Sequence, residues 1–348
     1  MRKKWSTLAF GFLVAAYAHI RIKEKRSVKS YMLEQGIRLS RAKRRFMYKE
    51  KRSVKSYMLE QGIRLSRAKR RFMYKEEAMK ALEKMAPQTA GEYEGTNYQF
   101  KMPVKVDKHF GSTVYTVNDK QDKHQRVVLY AHGGAWFQDP LKIHFEFIDE
   151  LAETLNAKVI MPVYPKIPHQ DYQATYVLFE KLYHDLLNQV ADSKQIVVMG
   201  DSAGGQIALS FAQLLKEKHI VQPGHIVLIS PVLDATMQHP EIPDYLKKDP
   251  MVGVDGSVFL AEQWAGDTPL DNYKVSPING DLDGLGRITL TVGTKEVLYP
   301  DALNLSQLLS AKGIEHDFIP GYYQFHIYPV FPIPERRRFL YQVKNIIN

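Results

Sequence analysis

From residue 113 onward, short β-branched runs alternate with longer stretches whose apolar residues recur every three or four positions. Runs of the first kind are STVYTV (112–117), RVVLYAH (126–132), KVIMPVY (158–164), QIVVMG (195–200), HIVLIS (225–230), RITLTVG (287–293) and HDFIP (316–320). Most are apolar nearly throughout, which predicts strands covered on both faces, the pattern of a mostly parallel sheet. Helices are predicted between them near 144–155, 171–189, 204–218, 255–264 and 300–312, with a last one near 334–346. The fold class is therefore α/β, a mostly parallel sheet with helices on both faces. Residues 75–110 and the loop 234–285 fall outside this alternation and are expected across the strand ends as a small helical cap.

The N-terminal part follows a different pattern. WSTLAFGFLVAAYAHI, from Trp5 to Ile20, is a mostly apolar run between Arg2, Lys3 and Lys4 on one side and Arg21, Lys23, Lys25 and Arg26 on the other. Sixteen helical residues reach roughly 24 Å, short of a bilayer's apolar thickness, so residues 1–22 fit a membrane anchor or a signal-like segment with Ala16-Tyr17-Ala18 as a cleavage site. The dense positive charge just downstream favours an uncleaved anchor with the body cytoplasmic; export after cleavage is the alternative.

Residues 23–48 read KEKRSVKSYMLEQGIRLSRAKRRFMY, and residues 49–74 repeat them letter for letter. In each copy one helical stripe is apolar: Val28, Met32, Leu39, Ala42 and Phe46 in the first, Val54, Met58, Leu65, Ala68 and Phe72 in the second. A shift of 26 residues at about 100° each rotates the second stripe by roughly 80°, so one straight helix cannot bury both on one partner. The repeat reads as an insertion, with the second copy packing its stripe on the body. The expected organisation is an anchor at 1–22, a duplicated basic helical arm at 23–74, a cap or lid at 75–110 and a catalytic domain at 111–348.

Charge sharpens this division. The copies contribute +14 and the first 22 residues +4 to a formal net charge of +10, which leaves −8 for residues 75–348. The body is mildly acidic, which speaks against nucleic acid, whereas a cationic arm beside an apolar run suits an anionic membrane surface. With no cysteine in the chain, a thiolate nucleophile and any cysteine-ligated metal are excluded, leaving hydroxyls and carboxylates as nucleophiles.

One hydroxyl stands out. QIVVMGDSAGGQIALSFAQLL carries Gly200-Asp201-Ser202-Ala203-Gly204 between a predicted strand and a predicted helix, the context in which G-x-S-x-G exposes a serine on a tight turn. Attack on a carbonyl also needs donors for an oxyanion, and YAHGGAWF offers Gly133 and Gly134 at the end of an earlier strand, with the Ala203 amide beside the serine. His132 in that loop is expected to be structural, because a base is expected late in the chain. His326, in GYYQFHIYPVFPIPE after the last strand, fits that place. An acid is expected one strand earlier, where TLTVGTKEVLYPDA provides Glu296, with Asp301 as the alternative, expected to cap the following helix. Ser202, Glu296 and His326 would all sit at the sheet edge where α/β folds place ligands.

With HGGAW, GDSAGG, VLISPVLDAT, the SPIN of Ser276 to Asn279, GTKEVLYPDA and FHIYPVFPIPE in this order, the stretch from about 113 to 346 resembles the α/β-hydrolase fold, in particular bacterial carboxylesterases of the hormone-sensitive-lipase-like branch. That resemblance implies Ser202 as nucleophile, His326 as base, Glu296 as acid, and Gly133, Gly134 and Ala203 as the oxyanion hole; His132 and Asp201 are expected in support. The sequence departs from the branch in having Ala135 for its third glycine and Glu296 for its usual aspartate, and the arm has no counterpart in it. The implied reaction is hydrolysis of short to medium acyl esters through an acyl-enzyme, without metal or organic cofactor. An arylformamidase-like or peptidase activity on the same fold, or a noncatalytic tethered binding protein, are the alternatives.

Overall fold

The computed structural model describes residues 52–347. The apolar run and the whole first copy of the repeat therefore lie outside the described residues, as does the anchor expected at 1–22. No helix among the described residues is long and apolar enough to cross a membrane.

Eight strands form one sheet: β1 (Val104–His109), β2 (Ser112–Val117), β3 (Val127–Ala131), β4 (Lys158–Pro162), β5 (Ile196–Asp201), β6 (His225–Ile229), β7 (Arg287–Gly293) and β8 (His316–Gly321). Their order is β1-β2-β4-β3-β5-β6-β7-β8, with β2 antiparallel to both its neighbours, β1 and β4, and all other pairs parallel. All seven predicted strands are present. β1 was not expected and corrects the cap assignment of 75–110, since residues 104–109 pair with β2 from Val104 opposite Val117 to His109 opposite Ser112. This edge strand is lysine-bearing and largely exposed, which discourages pairing with another chain.

Helices α1 (Val54–Ser66), α2 (Arg70–Met73) and α3 (Lys75–Thr89) precede the sheet. Between strands lie α4 (Lys142–Leu155), α5 (Tyr172–Leu187), α6 (Ala203–Glu217), α7 (Ile242–Leu246), α8 (Asp255–Ala265) and α9 (Tyr299–Ala311), and α10 (Pro334–Ile347) follows. Apolar residues of both sheet faces form two separate clusters. One joins Leu129, Val198 and Leu228 to α5, α6 and α9; the other joins Val128, Val197 and Val227 to α4 and α10. The alternation of strand residues between the two clusters is why the strand sequences read as continuous apolar runs. The α3 residues Ala78 and Leu82 pack with Leu260 and Trp264 of α8, whereas Tyr93, Tyr98 and Phe100 run along the opposite cluster beside Tyr115 and Phe145.

The second repeat copy docks on the body, but not by the predicted stripe. Val54, Met58 and Leu65 are 42%, 58% and 54% exposed, while Arg52, Ser56 and Glu60 are buried. The helix also breaks before the stripe ends. Arg67 takes a left-handed conformation at φ 56° and ends α1, so Phe72 sits on a separate short helix and turns inward onto the main cluster. A stripe drawn on one continuous helix cannot anticipate that turn.

Candidate active site

Ser202 stands between the last residue of β5 and the first of α6 with φ 54° and ψ −119°, a conformation costly for any residue with a Cβ. The surrounding backbone holds it there: its N–H donates to Ile229 O at 2.8 Å, and its carbonyl accepts from Gln206 N at 3.1 Å and Val232 N at 3.2 Å. The flanking glycines are required by close approach. A Cβ on Gly200 would lie 2.1 Å from Gly204 O, and one on Gly204 2.0 Å from Ala131 O.

The other two expected site residues arrive from separate loops. The imidazole of His326, in the loop after β8, lies with Nε2 2.9 Å from Ser202 Oγ. Its Nδ1 lies 2.7 Å from Glu296 Oε2, after β7. A carboxylate oxygen accepts, so Nδ1 carries the proton and the Nε2 lone pair faces the hydroxyl. Glu296 Oε1 accepts from Ser230 Oγ at 2.7 Å and Gly293 N at 2.5 Å. Ser230 Oγ in turn accepts from Ile327 N at 3.0 Å, joining the acid loop to the base loop. Burial pulls the His326 imidazole down, but the Glu296 carboxylate more than offsets this and holds it above the ordinary histidine value. Burial raises the Glu296 carboxyl above its ordinary value, against the pull of His326.

The expectation for the HGGAW loop as a source of oxyanion donors needs a correction. Gly133 N donates to Asp201 Oδ1 at 2.9 Å, so this amide is taken. Glycine is nonetheless required there, because a Cβ would meet Asp201 Oδ2 at 2.3 Å. Gly134 at φ 122° and Ala135 at φ 49° turn the chain, and neither amide donates to another group among the described residues. The free donors are therefore Gly134, Ala135 and the first-turn amide of Ala203, which no helix bond can use. Asp201 Oδ1 also accepts from Tyr130 OH at 2.5 Å, so Asp201 fixes the loop from below. His132 is fully buried, donates from Nδ1 to Gly133 O at 2.7 Å and stacks on Tyr164 at 4.4 Å between ring centroids, which makes it a support of the loop. Burial depresses its imidazole well below the ordinary value, helped by Lys166 and His144.

Asp301 does not act as expected. The α9 cap residue is Leu298 without a side-chain cap bond; Asp301 lies inside the first turn, and its Oδ2 has no partner. Burial, helped by Asp234, pushes its carboxyl up to about 7. It makes no bond to His326.

Sequence reasoning missed four contributors. Ser230 links the two loops, and Asp249 Oδ2 accepts from Val297 N at 2.8 Å directly after Glu296. Ala135 presents a free amide, disguised by having a side chain where glycine was expected. Gln206 Oε1 accepts from the indoles of Trp136 at 3.1 Å and Trp264 at 3.2 Å, tying the oxyanion loop to α6 and α8. The stretch AGGQ immediately after the serine was the available signal for Gln206, since a polar residue on a buried helix face needs partners.

Residues 128–329 match the family described as having the alpha/beta hydrolase fold. An esterase of Acinetobacter venetianus is 30% identical over 51% of this chain, and the match spans only 59% of that relative's length. The esterase LipU of Mycobacterium tuberculosis is 30% identical over 65% of this chain and 78% of its own. A solved esterase of the bacterial hormone-sensitive lipase family shares the fold with a TM-score of 0.67 at 20% identity, over 79% of this chain and 98% of that one.

Proposed function

The chain belongs to the α/β-hydrolase family, and from that premise we propose that it cleaves short to medium acyl esters through a Ser202 acyl-enzyme. The observation that carries this reading is the unbroken chain from Ser202 Oγ to His326 Nε2 at 2.9 Å and from His326 Nδ1 to Glu296 Oε2 at 2.7 Å. In the first step Ser202 Oγ bonds to the ester carbonyl carbon while its proton passes to His326 Nε2, and Glu296 stabilises the imidazolium. The carbonyl oxygen, now an oxyanion, takes hydrogen bonds from Gly134, Ala135 and Ala203, each such donor worth about 10²–10³-fold in rate. The tetrahedral centre collapses, and the leaving alkoxide receives the His326 proton. Water then repeats the sequence on the acyl-enzyme and frees Ser202.

A p-nitrophenyl ester series of increasing chain length tests the reading, with Ser202→Ala as control. Folded protein inert on all of them, or a Ser202→Ala variant near parental rate, would remove it. For location, the reading is contact of the N-terminal arm with anionic lipid. It is supported by the cation-rich repeat and by the outward Val54, Met58 and Leu65 beside Lys55 and Arg67.

A further inference from the structure

The inward face of α1 is polar, an odd choice for a helix that docks. Ser53 begins it, its N–H 2.5 Å from Glu335 Oε1 and its hydroxyl 2.8 Å from Oε2. Ser56 Oγ donates to Gln324 Oε1 at 2.6 Å, two residues before His326. Glu60 accepts from Lys295 Nζ at 2.8 and 2.9 Å, from Arg52 at 2.6 Å and from Arg64 at 2.8 Å. Lys295 is the residue immediately before Glu296, and its own amide donates to Gln324 O at 3.2 Å. Arg52 and Glu60 side chains are each 1% exposed. Despite its burial, the three cations hold the Glu60 carboxyl below the ordinary range. Farther along, Arg64 donates to Lys247 O, and Lys69 to the carbonyls of Leu246 and Asp249, the segment whose Asp249 carboxylate secures Val297.

A buried ionic cluster is a poor device for stability alone, because removing charges from water consumes most of the attraction gained. It is a good device for fixing geometry. Here its partners are the two loops on which the reaction depends, and the docked helix reaches both at once.

We propose that the second repeat copy is part of the active-site scaffold, with Glu60 as a positioning residue that keeps the loops of Glu296 and His326 in register. This rests on the serine-histidine-glutamate reading above. The duplicated sequence supplies its own control: Glu34 has the same neighbours in sequence as Glu60, but the body has one Lys295 and one Gln324 to receive them.

Three full-length variants test this: Glu34→Gln, Glu34→Gln with Glu60→Gln, and Glu296→Gln. Sites are counted by burst titration with a fluorophosphonate, and kcat, KM and the pH profile are read on p-nitrophenyl acetate. Glu34→Gln should match the parent. The double variant should keep its titratable sites and KM but lose on the order of 100-fold in kcat, the effect of a small misplacement of catalytic groups. The acid limb of its kcat/KM profile should move to lower pH, because a loosened Glu296 no longer raises the His326 imidazole. A double variant with parental kcat and pH limb overturns the inference, as does a loss explained wholly by fewer titratable sites. A loss in Glu34→Gln alone overturns the assignment to the second copy. Glu296→Gln separates the two readings. If it too retains parental behaviour, the triad reading has failed; if only the double variant does, the scaffold inference alone has failed.

Discussion

Replacing Glu296 by glutamine keeps shape and volume and removes the charge, so its effect follows from which way the new amide turns. Glu296 Oε1 faces two donors, the fixed amide of Gly293 and the hydroxyl of Ser230, which itself accepts from Ile327 N. Turning the NH2 group that way sets it against the Gly293 N–H and leaves that buried donor unpaired, a penalty of about 1–3 kcal/mol. Turning it towards His326 asks only that the imidazole present a lone pair at Nδ1, so this arrangement wins. The proton then resides on Nε2, which points at Ser202 Oγ and can no longer take the hydroxyl proton. The expected loss is about 10³–10⁴-fold in kcat, as when an aspartate in this role becomes asparagine, or about 4–5.5 kcal/mol of barrier. KM on p-nitrophenyl butyrate should stay within about twofold, since Glu296 is fully buried behind His326. Initial rates normalised to folded protein by circular dichroism decide the matter. A kcat within tenfold of the parent would show that the carboxylate does not set the tautomer and would refute the reasoning.

Asp301→Asn should leave turnover within about threefold of the parent. A carboxyl raised from 3.8 to about 7 on folding contributes full stability below the unfolded value and loses it as pH rises through the folded one. The asparagine variant should therefore be more stable than the parent at pH 8, by at most about 4 kcal/mol, and melt higher there but not at pH 4; equal melting at both would show that the carboxyl is not raised. The acid limb of parental kcat/KM should lie above the ordinary histidine value of about 6.5, given the direction in which Glu296 moves His326. A limb at or below that value would contradict it. Ser202→Gly should be as inactive as Ser202→Ala yet more stable by about 1 kcal/mol, because glycine accepts φ 54° and ψ −119° without strain. Equal melting temperatures would show that the serine turn stores none.

The parallel sheet was legible because burial on both faces writes itself into runs such as QIVVMG and HIVLIS. Ser202 was legible because the turn's demand for glycine at 200 and 204 has a fixed spacing. β1 was not, since VKVDKH is an exposed edge whose lysines hide the alternation of Val104 and Val106. The docked face of α1 was not either. Sequence periodicity weighs apolar residues, and here the buried positions are Arg52, Ser56 and Glu60, of which Ser56 and Glu60 find their partners 268 and 235 residues away. The exchange of Gly133 for Ala135 among the free amides depends on one hydrogen bond to Asp201 that only the folded chain shows.

That separation in sequence also orders events during synthesis. The docked second copy leaves the ribosome well before Lys295, Gln324 and Glu335, which receive it. At about 5–20 residues per second, the wait from Glu60 to Lys295 is roughly 12–47 s. Throughout that interval the sheet strands through β6 can assemble and the Ser202 turn can form, while the acid and base loops and their clamp do not yet exist. A chain halted before residue 326 would carry Ser202 without the imidazole proposed as its base. Under the proposed mechanism the chain is thus silent until residue 326 has been made, and an earlier-made segment closes this later-made part of the site.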